Sequence, residues 1–174
     1  EGHLMIVADR SEQAKRVEEA MALLSRAHDD VGGEVISAGG TGTYDLNRAA
    51  TEIQAGSYAL MDSHFGPMVP EFGQALFLEV DVISVSRKGW AVLNGGLKAL
   101  GMDHGPPTLA ADAGDVLLVS DEHITFRPAS PVSVGDRVRV IPAHVDPTVA
   151  YHDRLHLVRD GDVVDTWPVD LRGW

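Results

Sequence analysis

"GEVISAGGTGTYDLNRAATEIQAGSYALMD", residues 33 to 62, is the stretch on which the fold of the first third of the chain turns. Val35 to Ser37 reads as a short strand entering a glycine-rich turn, "SAGGTGTY" at 37–44. "DLNRAATE" then reads as a short helix, and residues 53 to 62 as another apolar strand. Working backwards, "HLMIVA" at 3–8 is an apolar run of the buried-strand type. Between that run and the glycines lies an amphipathic helix with Ser11 as its N-cap. Val17, Ala20, Met21, Leu23 and Leu24 share one face of it, and Gly32–Gly33 stop it. The order β-α-β-α-β is the rhythm of a parallel sheet with crossover helices.

Past Gly66–Pro70 the rhythm changes. "ALFLEVDVISVSRKGWAVLNGG" at 75–96 alternates apolar and polar residues across a turn, the pattern of a hairpin. "DVLLVSDEHITFRP", "GDRVRVIPAHV" and "DRLHLVRDGDVVDTWPV" read as further short strands, the last with an Asp-Gly turn. Residues 71–174 are therefore expected to form an antiparallel β domain, a sandwich or small barrel. The fold class is α/β plus all-β. Three parallel strands cannot close a barrel and leave an apolar sheet edge, so the chain reads as part of a longer one or as covered by a partner.

Composition excludes more than it identifies. The 174 residues suffice for a sizeable core, and 44% hydrophobic with 23% charged residues is an ordinary globular balance. A net charge of −12 and a pI near 4.9 argue against nucleic acid, which needs a basic stripe, and against an anionic membrane surface. With no cysteine there is no disulfide, no thiolate-bound zinc and no thiol nucleophile. No apolar run approaches the roughly 20 residues of a membrane span. The start, "EGHLMIVADRSEQ", lacks the form of a signal peptide, so a cytoplasmic protein is expected.

Two places carry possible chemistry. In the glycine-rich turn, small residues at the end of a strand let backbone N–H groups approach a phosphate, with Thr41 and Thr43 as hydroxyl donors. The same turn is equally compatible with a tight connection that binds nothing. Further on, "IPAHVDPTVAYHD" at 141–153 sets His144 and Asp146 two positions apart in a run that reads as strand. Residues i and i+2 of a strand project together, so an imidazole nitrogen and a carboxylate oxygen are available to one divalent cation. By spacing alone such a pair is more often an ordinary solvated face.

"EGHLM", "SAGGTGTY", "EIQAGSYALMD", "GGLKALGMDHGPP", "SDEH", "GDRVRVIPAHVDPTV" and "VRDGDVVDTWPVDLRG" occur together, in order, over nearly the whole chain. In this the chain resembles the D-threonine aldolase and D-serine dehydratase family. The resemblance implies an alanine racemase-like fold. In it, a (β/α)8 TIM-type barrel carries pyridoxal phosphate, and an antiparallel β domain follows, with a divalent metal beside the cofactor. Residues 1–66 would then be the C-terminal part of the barrel, and residues 71–174 the β domain carrying the metal site. The N-terminal barrel segment is expected to be missing, and with it the lysine that holds the cofactor. Lys15 and Lys88 do not fit that role, and Lys98 matches a family motif but not that position. A homodimer is expected.

By the same resemblance Gly39, Gly40 and Thr41 would hold the cofactor phosphate, with Gln54 a weaker candidate. His144 and Asp146 match the metal-ligand pair. His123, in "SDEH", is a candidate acid/base group, or else a histidine tying strands together. Where dehydratases of the family carry His-x-Cys, this chain has "HVD", a hard carboxylate that suits manganese or magnesium better than zinc. The implied reaction is cleavage of a D-3-hydroxy amino acid to glycine and an aldehyde. A D-serine dehydratase, a 3-hydroxy-D-aspartate aldolase and a non-catalytic β-domain fragment are the alternatives. The chain departs from the family at Ala150, where Asn is common after "PTV". His152 nearby is expected to face solvent or to stand in as a donor.

Overall fold

The computed structural model describes residues 2–170 and 172, with the backbone alone for residues 2 and 3. It divides into two compact units at Ala75 and Leu76. That division lies a few residues beyond Gly66–Pro70. Met68, Val69 and Phe72 still pack with Met61 and Phe65, and the Ala75 N–H donates to the Leu60 carbonyl at 2.8 Å.

In the first unit, α1 (Arg10–Val31) is capped by Asp9, whose carboxylate accepts from the Glu12 N–H at 2.8 Å. The cap is thus Asp9 rather than Ser11, and Gly32 ends the helix as expected. Val17 and Met21 are buried against Ala38, with Ala20 and Leu24 beside them. Leu23, expected on that face, is 61% exposed. Two short strands, β1 (Ser37–Ala38) and β2 (Glu52–Ile53), pair in parallel.

Three sequence expectations are corrected here. Residues Gly2–Ile6 form a 3-10 turn rather than a strand, a choice that periodicity cannot make for so short an apolar run. The expected helix at 45–52 is instead a series of turns leading into β2 at Glu52. Asn47 Nδ2 donates to the Thr43 carbonyl and hydroxyl, offering the backbone a local alternative to the helix. The strand expected over 53–62 ends at Ile53, and a 3-10 turn, Ser57–Ala59, follows Gly56.

The first turn of α1 steadies the glycine-rich loop. Arg10 donates to the Gly42 carbonyl at 3.0 Å and pairs with Asp45, while the buried Gln13 donates to the Leu4 and Gly42 carbonyls. The Arg10 guanidinium holds the Asp45 carboxyl below its ordinary value of 3.8. A depressed carboxylate contributes stability that is present above the ordinary value and lost as pH falls through the folded one. For a half-exposed pair the contribution is about 0.2–1 kcal/mol. An Arg10→Gln variant should therefore melt below the parent protein at neutral pH, with the gap narrowing below the ordinary carboxylate range to what the Gly42 bond contributes.

The second unit is built on a six-stranded antiparallel sheet of order β5-β8-β3-β4-β7-β6. Its strands are β3 (Leu78–Val85), β4 (Ala91–Leu93), β5 (Thr108–Leu109), β6 (Gly114–Val119), β7 (Ile124–Pro128) and β8 (Arg137–Ile141). Alternation sets the faces. Val138 and Val140 of "RVRVI" are buried while Arg137 and Arg139 face out. Across the ladder Val80 meets Val138 and Ala91 meets Phe126 in a core shared with Val82, Leu93, Leu100 and Ile124. On the outer face Arg137 lies opposite Asp81 and Arg139 opposite Glu79, so a slip of one residue would cost both burial and charge pairing.

After β8 comes a six-residue helix, α2 (Val145–Ala150), and then the hairpin β9 (Arg154–Arg159) and β10 (Asp162–Pro168), which forms its own two-stranded sheet. Its turn residues, Asp160 and Gly161, both have positive φ (53° and 92°), the geometry that Asp-Gly favours in hairpins. Among the described residues no helix is long and apolar enough to cross a membrane.

Candidate metal centre and glycine turn

β8 stops at Ile141, and His144 is the N-cap of α2 with extended backbone, φ −142° and ψ 122°. Asp146 lies in the first turn, and Pro147 follows where its missing N–H has no helical partner to lose. His144 and Asp146 therefore do not alternate along a strand. Their side chains converge all the same, with His144 Nε2 3.3 Å from Asp146 Oδ2.

The loop between β4 and β5 brings two more groups. Asp103 Oδ2 lies 2.6 Å from His144 Nδ1. The His104 ring stacks on that of His144, centroids 3.9 Å apart and planes within 11°. Asp103, His104 and His144 each offer a donor atom within 4.8 Å of the others. For Asp103, burial pushes the carboxyl up, but the bond from His144, a local backbone bond and the two imidazoles together hold it below its ordinary value.

Close approach of backbones makes this meeting possible. Gly101 forms a bridge with His144, its N–H donates to Thr148 Oγ1 at 2.9 Å, and that hydroxyl donates to the His144 carbonyl at 2.7 Å. A Cβ at Gly101 would stand 2.3 Å from Pro147 Cγ.

The donor chemistry fits a cation. His144 sets each ring nitrogen against a carboxylate oxygen, Nδ1 against Asp103 and Nε2 against Asp146; with the hydrogen on Nδ1, Nε2 turns its lone pair toward the Asp146 carboxylate. Two acceptors 3.3 Å apart need positive charge between them, a proton on the imidazole or a metal ion. Two donors bound to one ion at about 2.1 Å lie roughly 3.0–3.4 Å from each other. Nitrogen and oxygen without sulfur suit a hard or borderline divalent ion.

Other residues singled out in the sequence lie elsewhere. His152 is half-buried, and its Nε2–H donates to the Ala99 carbonyl at 2.9 Å, so it neither faces solvent nor joins the cluster. His123 is exposed in the turn between β6 and β7, where its carbonyl accepts from the Ser120 N–H at 2.9 Å. It is not one of the three converging groups. Lys98 pairs with Glu122 at 2.7 Å on the surface. Asp103 and His104 were legible only as part of "GMDHGPP", with nothing local to mark them as partners of His144.

In the first unit, β1 and β2 run in parallel into the Gly39–Thr43 turn and the Gln54–Tyr58 segment. Ligands of parallel sheets sit at such C-terminal strand ends. Thr41 is buried and its hydroxyl accepts from the Tyr58 N–H at 3.0 Å, tying the two ends together. The Gly40 N–H is engaged with Thr43 Oγ1 at 3.3 Å. Gly39 and Gln54 line one cleft of about 520 Å³, half of whose lining residues come from α1. The placement fits a phosphate, while the Thr41 and Thr43 hydroxyls are engaged with Tyr58, Gly40 and Asn47.

A sheet-built C-terminal unit after a parallel βα segment is the architecture of alanine racemase-like proteins. One such protein, from Idiomarina loihiensis, matches with a TM-score of 0.74 at 22% identity, covering 99% of this chain and 54% of that one. A D-threonine aldolase structure from Filomicrobium marinum matches with a TM-score of 0.88 at 31% identity, covering 99% of this chain and 52% of the other. In sequence, a D-threonine aldolase from Arthrobacter sp is 35% identical over 96% of this chain and 47% of its own length. A 3-hydroxy-D-aspartate aldolase from Paracoccus denitrificans is 36% identical over 80% of this chain and 40% of its own. The family model described as "Putative serine dehydratase domain" matches residues 75–158. The chain belongs to the D-threonine aldolase and D-serine dehydratase family, and it spans about half the length of the curated relatives it matches.

Proposed function

We propose that this chain is the C-terminal portion of a pyridoxal-phosphate and divalent-metal-dependent aldolase. It would cleave D-3-hydroxy amino acids to glycine and an aldehyde, working as a cytoplasmic homodimer. The observation that carries the reading is the His144–Asp146 pair, an imidazole nitrogen facing a carboxylate oxygen at 3.3 Å. The aldolase names of the relatives agree with it.

When bound, the cofactor supplies an electron sink for Cα–Cβ cleavage, and the metal supplies Lewis acidity toward the substrate's β-hydroxyl. The protein's part is placement. His144 would hold the ion through Nε2 and Asp146 through its carboxylate, and this oxygen-bearing set favours manganese or magnesium over zinc. Gly39, Gly40 and Thr41 would seat the cofactor phosphate at the strand ends, with Gln54 at the rim. His123, exposed on its turn, would exchange a proton with the substrate side of the site.

The test uses the full-length enzyme. With D-threonine it should yield glycine and acetaldehyde in equal amounts, and with D-serine little pyruvate or ammonia. Chelation should stop turnover and manganese should restore it. Pyruvate and ammonia as main products would make the protein a dehydratase. A His123→Gln variant should lose turnover at unchanged metal content. Faster turnover of 3-hydroxy-D-aspartate than of D-threonine would place the substrate with the Paracoccus relative.

A further inference from the structure

The metal pair named above leaves open what chooses the ligating nitrogen of His144. Free histidine favours the tautomer with hydrogen on Nε2, which would turn an N–H rather than a lone pair toward the ion. We propose that Asp103 is the positioning residue of the centre: its carboxylate takes the Nδ1–H of His144 and so commits Nε2, beside Asp146, to the metal.

Distances decide between the two tautomers. The Asp103–Nδ1 contact is 2.6 Å and the Asp146–Nε2 contact 3.3 Å, so a single hydrogen is held more strongly on the Asp103 side. Placing it on Nε2 would set the Nδ1 lone pair against a carboxylate oxygen at 2.6 Å. The His144 side chain is 20% exposed and its ring is stacked on His104, so it has little freedom to flip. Asp103 comes from a loop 41 residues earlier, pinned by the Gly101–His144 bridge. Metal-bound histidines commonly donate their other ring N–H to a carboxylate in this way, and losing such a partner costs about 10–100-fold in metal affinity.

This inference rests on the metal-centre reading, and two measurements keep them separable. The first is the tautomer of His144 in the metal-free protein at alkaline pH, read from its ring nitrogen shifts by NMR. The parent protein should show hydrogen on Nδ1, and Asp103→Ala should shift His144 toward hydrogen on Nε2. The second is manganese affinity by titration calorimetry, expected to fall about 10–100-fold in Asp103→Ala. Asp103→Asn, whose amide oxygen still accepts from Nδ1, should recover most of both, a rescue that a merely structural role does not predict. An unchanged tautomer in Asp103→Ala overturns the assignment of Asp103. A parent protein with hydrogen on Nδ1 that binds no manganese keeps Asp103 as the orienting group and overturns the metal centre instead.

Discussion

Replacing His144 by alanine is expected to remove measurable manganese binding while leaving the six-stranded sheet folded. The imidazole supplies one of the two protein donors of the proposed centre, so the loss should exceed the roughly 10–100-fold that follows from deleting an outer partner. Little folding stability goes with it. His144 caps α2 through its backbone, with no side-chain cap bond, and its ring lies outside the buried core. Asp103, left with His104 alone beside it, should titrate closer to an ordinary carboxylate. Calorimetric titration with manganese, alongside far-ultraviolet circular dichroism, checks both halves. Parent-like affinity in this variant would move the metal out of this loop altogether.

Gly101→Ala is expected to damage the fold and the site together. The added methyl would sit 2.3 Å from Pro147 Cγ and 3.3 Å from the His144 carbonyl oxygen. A proline ring in the first turn of a helix cannot swing aside as the tip of a flexible chain can. The two backbones must separate, and with them go the Gly101 N–H bond to Thr148 and the bridge to His144. Overpacking of this kind costs about 1–3 kcal/mol. Because Asp103 follows two residues later, its reach to His144 is lost as well, and manganese affinity should fall about tenfold or more. Thermal melting and metal titration on one sample read the two effects. A stable variant with intact affinity would show that the loop can shift without disturbing the centre.

The β domain was legible because its strands alternate. "RVRV" at 137–140 and "ITF" at 124–126 declare their buried faces, and "RDGD" declares its turn. The first unit was legible in outline only. The parallel pairing of β1 with β2 follows from the pattern, but both strands are two residues long. An apolar run such as "HLMIVA" carries no period long enough to separate strand from turn. At the site, His144 and Asp146 were found for a reason that does not hold. The pair comes together across a helix N-cap, and the signal for that was "DPT", a proline placed where a first helical turn tolerates it. Asp103 and His104 could not be read locally at all. Their partnership with His144 exists only because Gly101 lets two loops, far apart in sequence, lie against each other.

Both proposed metal donors lie two positions apart on one stretch of backbone, and this bears on thermodynamic linkage. An ion stabilises a fold only by the margin with which it prefers the folded chain to the unfolded one. A His-x-Asp pair stays adjacent when the chain unfolds, so part of its affinity survives there and lends nothing to the fold. The margin comes from what is absent in the unfolded chain, the distant Asp103 carboxylate and the stacked His104 ring. The ion should therefore be a weak staple, raising the melting temperature far less than its affinity suggests. Stripped of metal, the domain would remain a folded vessel, ready to be loaded again.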